Sequence, residues 1–124
     1  MDFQQLLAYQ KSYKLAMQVF EITKQFPKEE IYSLTDQIRR SSRSVTVNIA
    51  EAYRKRKYVK HFISKLTDAD AENSETIVWL DFALSCEYLS VSKAEHLKSL
   101  SIEVGKLLNY MMNHPEKFGV KTEN

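Results

Sequence analysis

Only two glycines, Gly105 and Gly119, and two prolines, Pro27 and Pro115, punctuate a chain of 124 residues. A sandwich or barrel needs a turn after every short strand, and four turn formers cannot supply them. The same scarcity excludes the glycine loops that cradle phosphates in P-loop and dinucleotide-binding folds. The lone Cys86 has no partner for an internal disulfide or half of a zinc site, which points to a reducing compartment. No run of about 18 apolar residues occurs. Met1-Asp2-Phe3 opens no signal peptide, so the expectation is a cytoplasmic chain with no membrane partner. At this length one domain with a real core is expected, and it is all-α.

Periodicity divides the chain into four helices. The first is expected from about Phe3 to Phe26 and carries two stripes. One is Leu6, Tyr9, Tyr13, Ala16 and Phe20, and the other is Ala8, Leu15, Val19, Ile22 and Phe26. Two apolar stripes exceed what a monomeric bundle buries, so a subunit contact is expected. Pro27 stops this helix. The second runs from about Glu29 to Arg56, with Glu29 and Glu30 in its first turn, where carboxylates suit the helix dipole. At 100° per residue Leu34, Ile38, Val45, Ile49 and Ala52 share an arc of roughly 60°. Arg39, Arg43, Arg54 and Lys57 form a ridge beside it, and Arg56 falls on the apolar side. The third runs from about Val59 to Tyr88, its apolar face interrupted by Asp70 and Asn73, which need partners. The fourth starts with a capping box at Ser92-Lys93-Ala94-Glu95 and ends near Asn113, before Pro115. Residues 1–114 are thus an antiparallel up-down-up-down four-helix bundle, and 115–124 a polar, frayed C-terminal tail.

Charge is near balance overall but segregated along the chain. From Gln37 to His61 there are eight basic residues against the single acid Glu51. From Leu66 to Glu87 there are six acids and no Lys or Arg. Reversal of the chain near Lys57 places Arg43 beside Glu72 and Arg40 beside Glu75. Arg39, Arg40 and Arg43 therefore serve either as interhelical ion-pair partners or as contacts for an anionic ligand. Arg54, Lys55, Arg56, Lys57 and Lys60 sit at the turn itself, with no acid opposite, and are the better anion site. Tyr53 and Tyr58 bracket this run, and each either stacks on an unpaired base or covers the bundle end.

Catalytic and metal chemistry find little footing. Asp68-Ala69-Asp70-Ala71-Glu72 begins like a calcium loop but lacks the glycine at position six and the glutamate at position twelve. None of His61, His96 and His114 follows a Glu by three positions, so no di-iron motif exists. Ser90-Val91-Ser92-Lys93 reads as a turn and helix cap, and Cys86 as a buried structural thiol. No enzyme activity, metal or cofactor is expected.

Phe26-Pro27-Lys28-Glu29, Leu34, Gln37-Ile38-Arg39-Arg40-Ser41, Ser44-Val45 and Asn48-Ile49-Ala50-Glu51 together resemble one family. It is that of the 23S rRNA intervening sequence proteins, whose relatives include the accessory variability determinant of diversity-generating retroelements. The likeness runs from about Leu7 to Met112. It implies a four-helix bundle assembled into a pentameric ring, with a basic surface linked to nucleic acid and, in the retroelement branch, to a reverse transcriptase. Where the family commonly has Gly after Asn-Ile-Ala-Glu this chain has Ala52, and Asn73-Ser74 replaces a Gly-Ser pair of the third helix.

Two functions follow as expectations. One is a non-catalytic, RNA-biased nucleic-acid-binding oligomer that uses Arg54, Lys55, Arg56, Lys57 and Lys60, with Arg39, Arg40 and Arg43 as a second tier. The other is an oligomeric scaffold that docks a protein partner, for example a reverse transcriptase, with no direct nucleic-acid role.

Overall fold

The computed structural model describes residues 1–121, and they form four helices in the expected order. These are α1 (Leu7–Thr23), α2 (Leu34–Arg54), α3 (Val59–Ser85) and α4 (Val91–Asn113). Each packs against its two neighbours around the ring α1-α2-α3-α4, which makes the antiparallel up-down-up-down bundle. No strand occurs among the described residues.

Helix ends differ from the sequence reading for local reasons. Phe3–Gln5 form a separate 3-10 turn, boxed by the Asp2 carboxylate and the Gln5 side chain, and α1 begins after it. Pro27 is followed by a second 3-10 turn, Lys28–Glu30, so α2 starts at Leu34 rather than Glu29. Glu30 nevertheless serves that helix: its carboxylate accepts the Leu34 amide at 3.3 Å and the Tyr88 hydroxyl at 2.8 Å. The latter bond raises the phenol of Tyr88, pushed up to about 12. The cap of α4 is Ser90, whose hydroxyl accepts from the Lys93 amide at 3.1 Å, two residues before the expected box.

The core lies in two halves separated by a polar layer. The half nearer the α2–α3 turn holds Val45, Ile49, Ala52, Phe62, Leu66, Val104 and Leu108, all buried. The other holds Leu15, Val19, Ile38, Leu80, Ala83 and Leu97. Between them, each helix is bonded to the next. Thr46 donates to Ser12 at 2.9 Å, Ser41 and Thr76 share a bond of 2.9 Å, and Asn73 donates to the Ser101 carbonyl at 2.8 Å. The Ser101 hydroxyl returns a bond to the Asn73 Oδ1 at 2.8 Å. Each buried bond nets about 1 kcal/mol, but stranding one partner costs about 1–3 kcal/mol, so the layer fixes helix register more than it adds stability. Asn73 thus has the partner its position demands. Ala52 is fully buried, with its Cβ accommodated where the family commonly has glycine.

Two expectations fail here. Cys86 ends α3 at the surface and is exposed, because the helix stops at Ser85 and the turn carries the thiol outward. The C-terminal segment is not frayed as far as Lys121: Pro115–Phe118 form a 3-10 turn and Val120 is buried in the first half of the core. Residues 122–124 of the expected tail lie outside the described residues.

Candidate nucleic-acid interface

The α2–α3 turn spans Lys55 to Tyr58. The Lys55 amide donates to the carbonyls of Glu51 and Ala52, and the Tyr58 amide returns to the Lys55 carbonyl at 3.1 Å. A turn this tight turns most of its side chains outward. Lys55, Lys57, Tyr58, Lys60 and His61 are accordingly exposed. Lys55, Lys57 and Lys60 make no ion pair among the described residues. The Lys57 ammonium stands 5.6 Å from the Tyr58 ring centre, and His61 lies 5.3 Å from the same ring. The result is a cationic loop with an open aromatic face.

The two arginines of the turn behave differently from the lysines. Arg54 has a counter-charge that the sequence reading missed: it bonds Asp2 at 2.8 Å. The 3-10 turn of the N-terminus delivers that carboxylate, which lies 52 positions away in sequence. Such an exposed pair is worth about 0–1 kcal/mol, so Arg54 is paired but not locked. Arg56 is committed to the fold. Its guanidinium lies 3.5 Å from the Tyr53 ring centre, Nε donates to the Tyr53 carbonyl at 2.7 Å, and Nη1 donates to the Phe118 carbonyl at 3.1 Å. Tyr53 itself is buried, which leaves Tyr58 as the one bracketing tyrosine with an open face.

Of the two alternatives for the second-tier arginines, ion pairs with Glu72 and Glu75 do not form among the described residues. The register is close to expectation, since Ser41 meets Thr76 and Glu51 pairs with Lys65 at 2.8 Å. Side-chain direction decides otherwise. Arg39 and Arg43 point toward α1, where Arg39 donates to the Thr23 hydroxyl at 2.8 Å. Their guanidiniums lie 4.9 and 5.6 Å from the Phe20 ring centre. Arg40 is exposed and faces the acids of α3, acting on Glu72 through space. Burial holds the Glu72 carboxyl above its usual range, with repulsion from Glu75, a bond to it and the charge of Asp68 adding, and Arg40 opposing. The basic residues thus divide into a turn site, a separate patch of Arg39 and Arg43 around Phe20, and Arg40 on the α3 side.

One contributor was absent from the sequence reading. Lys121 joins Arg54, Arg56, Lys57 and Gly119 around a hollow of about 410 Å³. The signal available in sequence was the pair Phe118 and Val120, apolar residues set in an otherwise polar tail. Among the described residues, no cluster of His, Cys, Asp and Glu could hold a metal ion. No helix there is long and apolar enough to cross a membrane.

Comparison with known proteins agrees with this architecture. The family model described as 23S rRNA-intervening sequence protein matches residues 4–110. A crystal structure from Bacteroides thetaiotaomicron, of a protein with unknown function from the S23 ribosomal protein family, is 30% identical. It superposes with a TM-score of 0.79 over 86% of this chain and 96% of that one. No curated protein matches. The residues carrying the motif and all but the last turn of the bundle lie within the matched span, and the chain belongs to the 23S rRNA-intervening sequence protein family.

Proposed function

We propose that the protein is a non-catalytic, RNA-biased nucleic-acid-binding oligomer that engages its ligand through the α2–α3 turn. The observation that carries this reading is the set Lys55, Lys57 and Lys60, exposed, unpaired among the described residues and adjacent to the open ring of Tyr58. Lysines so placed neutralise phosphates without reading sequence, and an exposed ring stacks on an unpaired base. That combination favours RNA loops over regular duplex. Arg54 contributes when it exchanges Asp2 for phosphate, while Arg56 acts by holding the turn. Arg39, Arg40 and Arg43 form the second tier.

Oligomerisation, as a pentamer in line with the family resemblance, multiplies a weak site by avidity. Supporting it is an apolar groove of about 460 Å³ between α1 and α2, lined by Phe3, Tyr9, Tyr13, Met17 and Val47 among others. Tyr13, Met17 and Val47 are exposed there, an apolar patch that a neighbouring subunit would cover. The scaffold reading draws on a different surface, where Tyr32 is 95% exposed beside Ile31, and Val78 and Phe82 stand open on α3.

The test is binding of a fluorescein-labelled RNA stem-loop and of duplex DNA to the same preparation, with the mass in solution measured by light scattering. The reading expects stem-loop binding near physiological salt, weaker duplex binding, and a mass that is a multiple of the 14.5 kDa chain. Binding to neither nucleic acid at that salt favours the scaffold.

A further inference from the structure

The hollow at the basic turn is assembled from two segments that meet only through the fold. Arg54, Arg56 and Lys57 come from the α2–α3 turn, and Gly119 and Lys121 from the C-terminus, beyond the family-matched span. Its volume is about 410 Å³, and among the described residues no carboxylate lines it.

Three features fix the C-terminal wall. Val120 is 4% exposed and packs in the core half that includes Leu108 and Met111. The Phe118 carbonyl accepts from Arg56 Nη1 at 3.1 Å. Gly119 adopts φ +82°, and a Cβ added there would stand 3.1 Å from that same Nη1. The left-handed turn at Gly119 therefore reverses the chain against the guanidinium and brings Lys121 to the rim. Arg56, in turn, is held over the Tyr53 ring and bonded to its carbonyl, so the two segments share one joint.

We propose that this hollow is a subsite for a backbone phosphate of the bound RNA, contacted by Lys57 and Lys121, with Arg56 and Gly119 as the positioning residues that hold Lys121 in place. The inference rests on the nucleic-acid reading and deepens it. The site is composite: the turn alone is incomplete without the C-terminal segment.

The experiment measures anisotropy of a fluorescein-labelled RNA stem-loop across a salt series for the wild type, Lys121→Ala, Gly119→Ala and the double variant. Lys121→Ala is expected to weaken binding about 3- to 5-fold, the upper end of an exposed ion pair. It should also flatten the plot of log K against log salt by about 0.7–0.9, the contribution of one phosphate contact. Gly119→Ala removes no charge, yet it should lose a similar factor because it displaces Lys121, and the double variant should lose no more than either. Thermal melting reports whether the bundle stands in each. Because Lys121 is exposed, its variant keeps the fold and decides the case alone. Wild-type affinity and salt slope in Lys121→Ala overturn the composite site. Wild-type affinity in a folded Gly119→Ala overturns the positioning role. Failure of the wild type itself to bind near physiological salt overturns the nucleic-acid reading, and the subsite with it.

Discussion

Arg56 stands over the Tyr53 ring, its guanidinium carbon 3.5 Å from the ring centre, and from there bonds the Phe118 carbonyl 62 positions further along the chain. A residue that sequence places in a basic cluster is thus a structural joint. Arg56→Ala is expected to cost about 2 kcal/mol, from a half-buried cation–π contact of about 1 kcal/mol and two carbonyl bonds of about 0.5 kcal/mol each. Lys55→Ala, which removes the same charge from the same turn, should change stability by less than about 0.5 kcal/mol. Chemical denaturation of the two variants side by side checks this, and equal effects contradict it.

Asn73 is the most connected member of the polar layer. Replacing it with Ala removes both of its side-chain bonds to Ser101 and leaves a cavity in the interior, with the Ser101 hydroxyl reduced to its 3.4 Å bond to the backbone carbonyl of residue 73. A loss of about 2–3 kcal/mol is expected, measured by urea unfolding with an unchanged m-value. Ser44→Ala, at a half-buried position of α2 outside the layer, is the control and should be near neutral.

The acidic face of α3 predicts a pH dependence. The Glu72 carboxyl is held above its ordinary value, so its charged form is the costly one in the folded state. The penalty is absent below the ordinary value of 4.5 and complete once pH has risen past the raised folded value. Glu72→Gln should therefore raise the melting temperature at neutral pH, and the gain should fade as pH falls through the raised folded value and be gone below about 4.5. A variant less stable than wild type at pH 7 contradicts this, and shows that attraction to Arg40 outweighs burial and repulsion.

Tyr58 separates stacking from charge. Tyr58→Ala should weaken binding of a stem-loop with unpaired bases by about 1–3 kcal/mol, the usual worth of one base–aromatic stack. Binding to fully paired RNA should change little, because no splayed base reaches the ring. Equal losses for the two ligands would assign Tyr58 a purely structural role.

The bundle was legible because helical period is a local property. Leu34, Ile38, Val45, Ile49 and Ala52, which share one arc of α2, are all buried. Helix ends were less so: Pro27 and Glu30 act through a 3-10 turn and a cap across the loop rather than inside α2. The site was legible in outline only. Sequence separates basic from acidic blocks, but a side chain's direction about the helix axis, not register, decided that Arg39 and Arg43 meet Phe20 instead of Glu72. Asp2 and Lys121 reach the turn from the two ends of the chain, contacts that no local pattern encodes. The position of Arg56 on the apolar side of the wheel was the one early sign of its structural task.

The central claim is that the exposed lysines of the α2–α3 turn bind nucleic acid. It is tested most directly by Lys55→Glu, Lys57→Glu, Lys60→Glu in one chain, with the stem-loop affinity followed across a salt series and light scattering on both proteins. The account expects the wild type to bind near physiological salt with a steep salt dependence. The variant should keep the wild-type mass and melting behaviour while losing most of that binding. A variant of unchanged mass that binds as the wild type does contradicts the account.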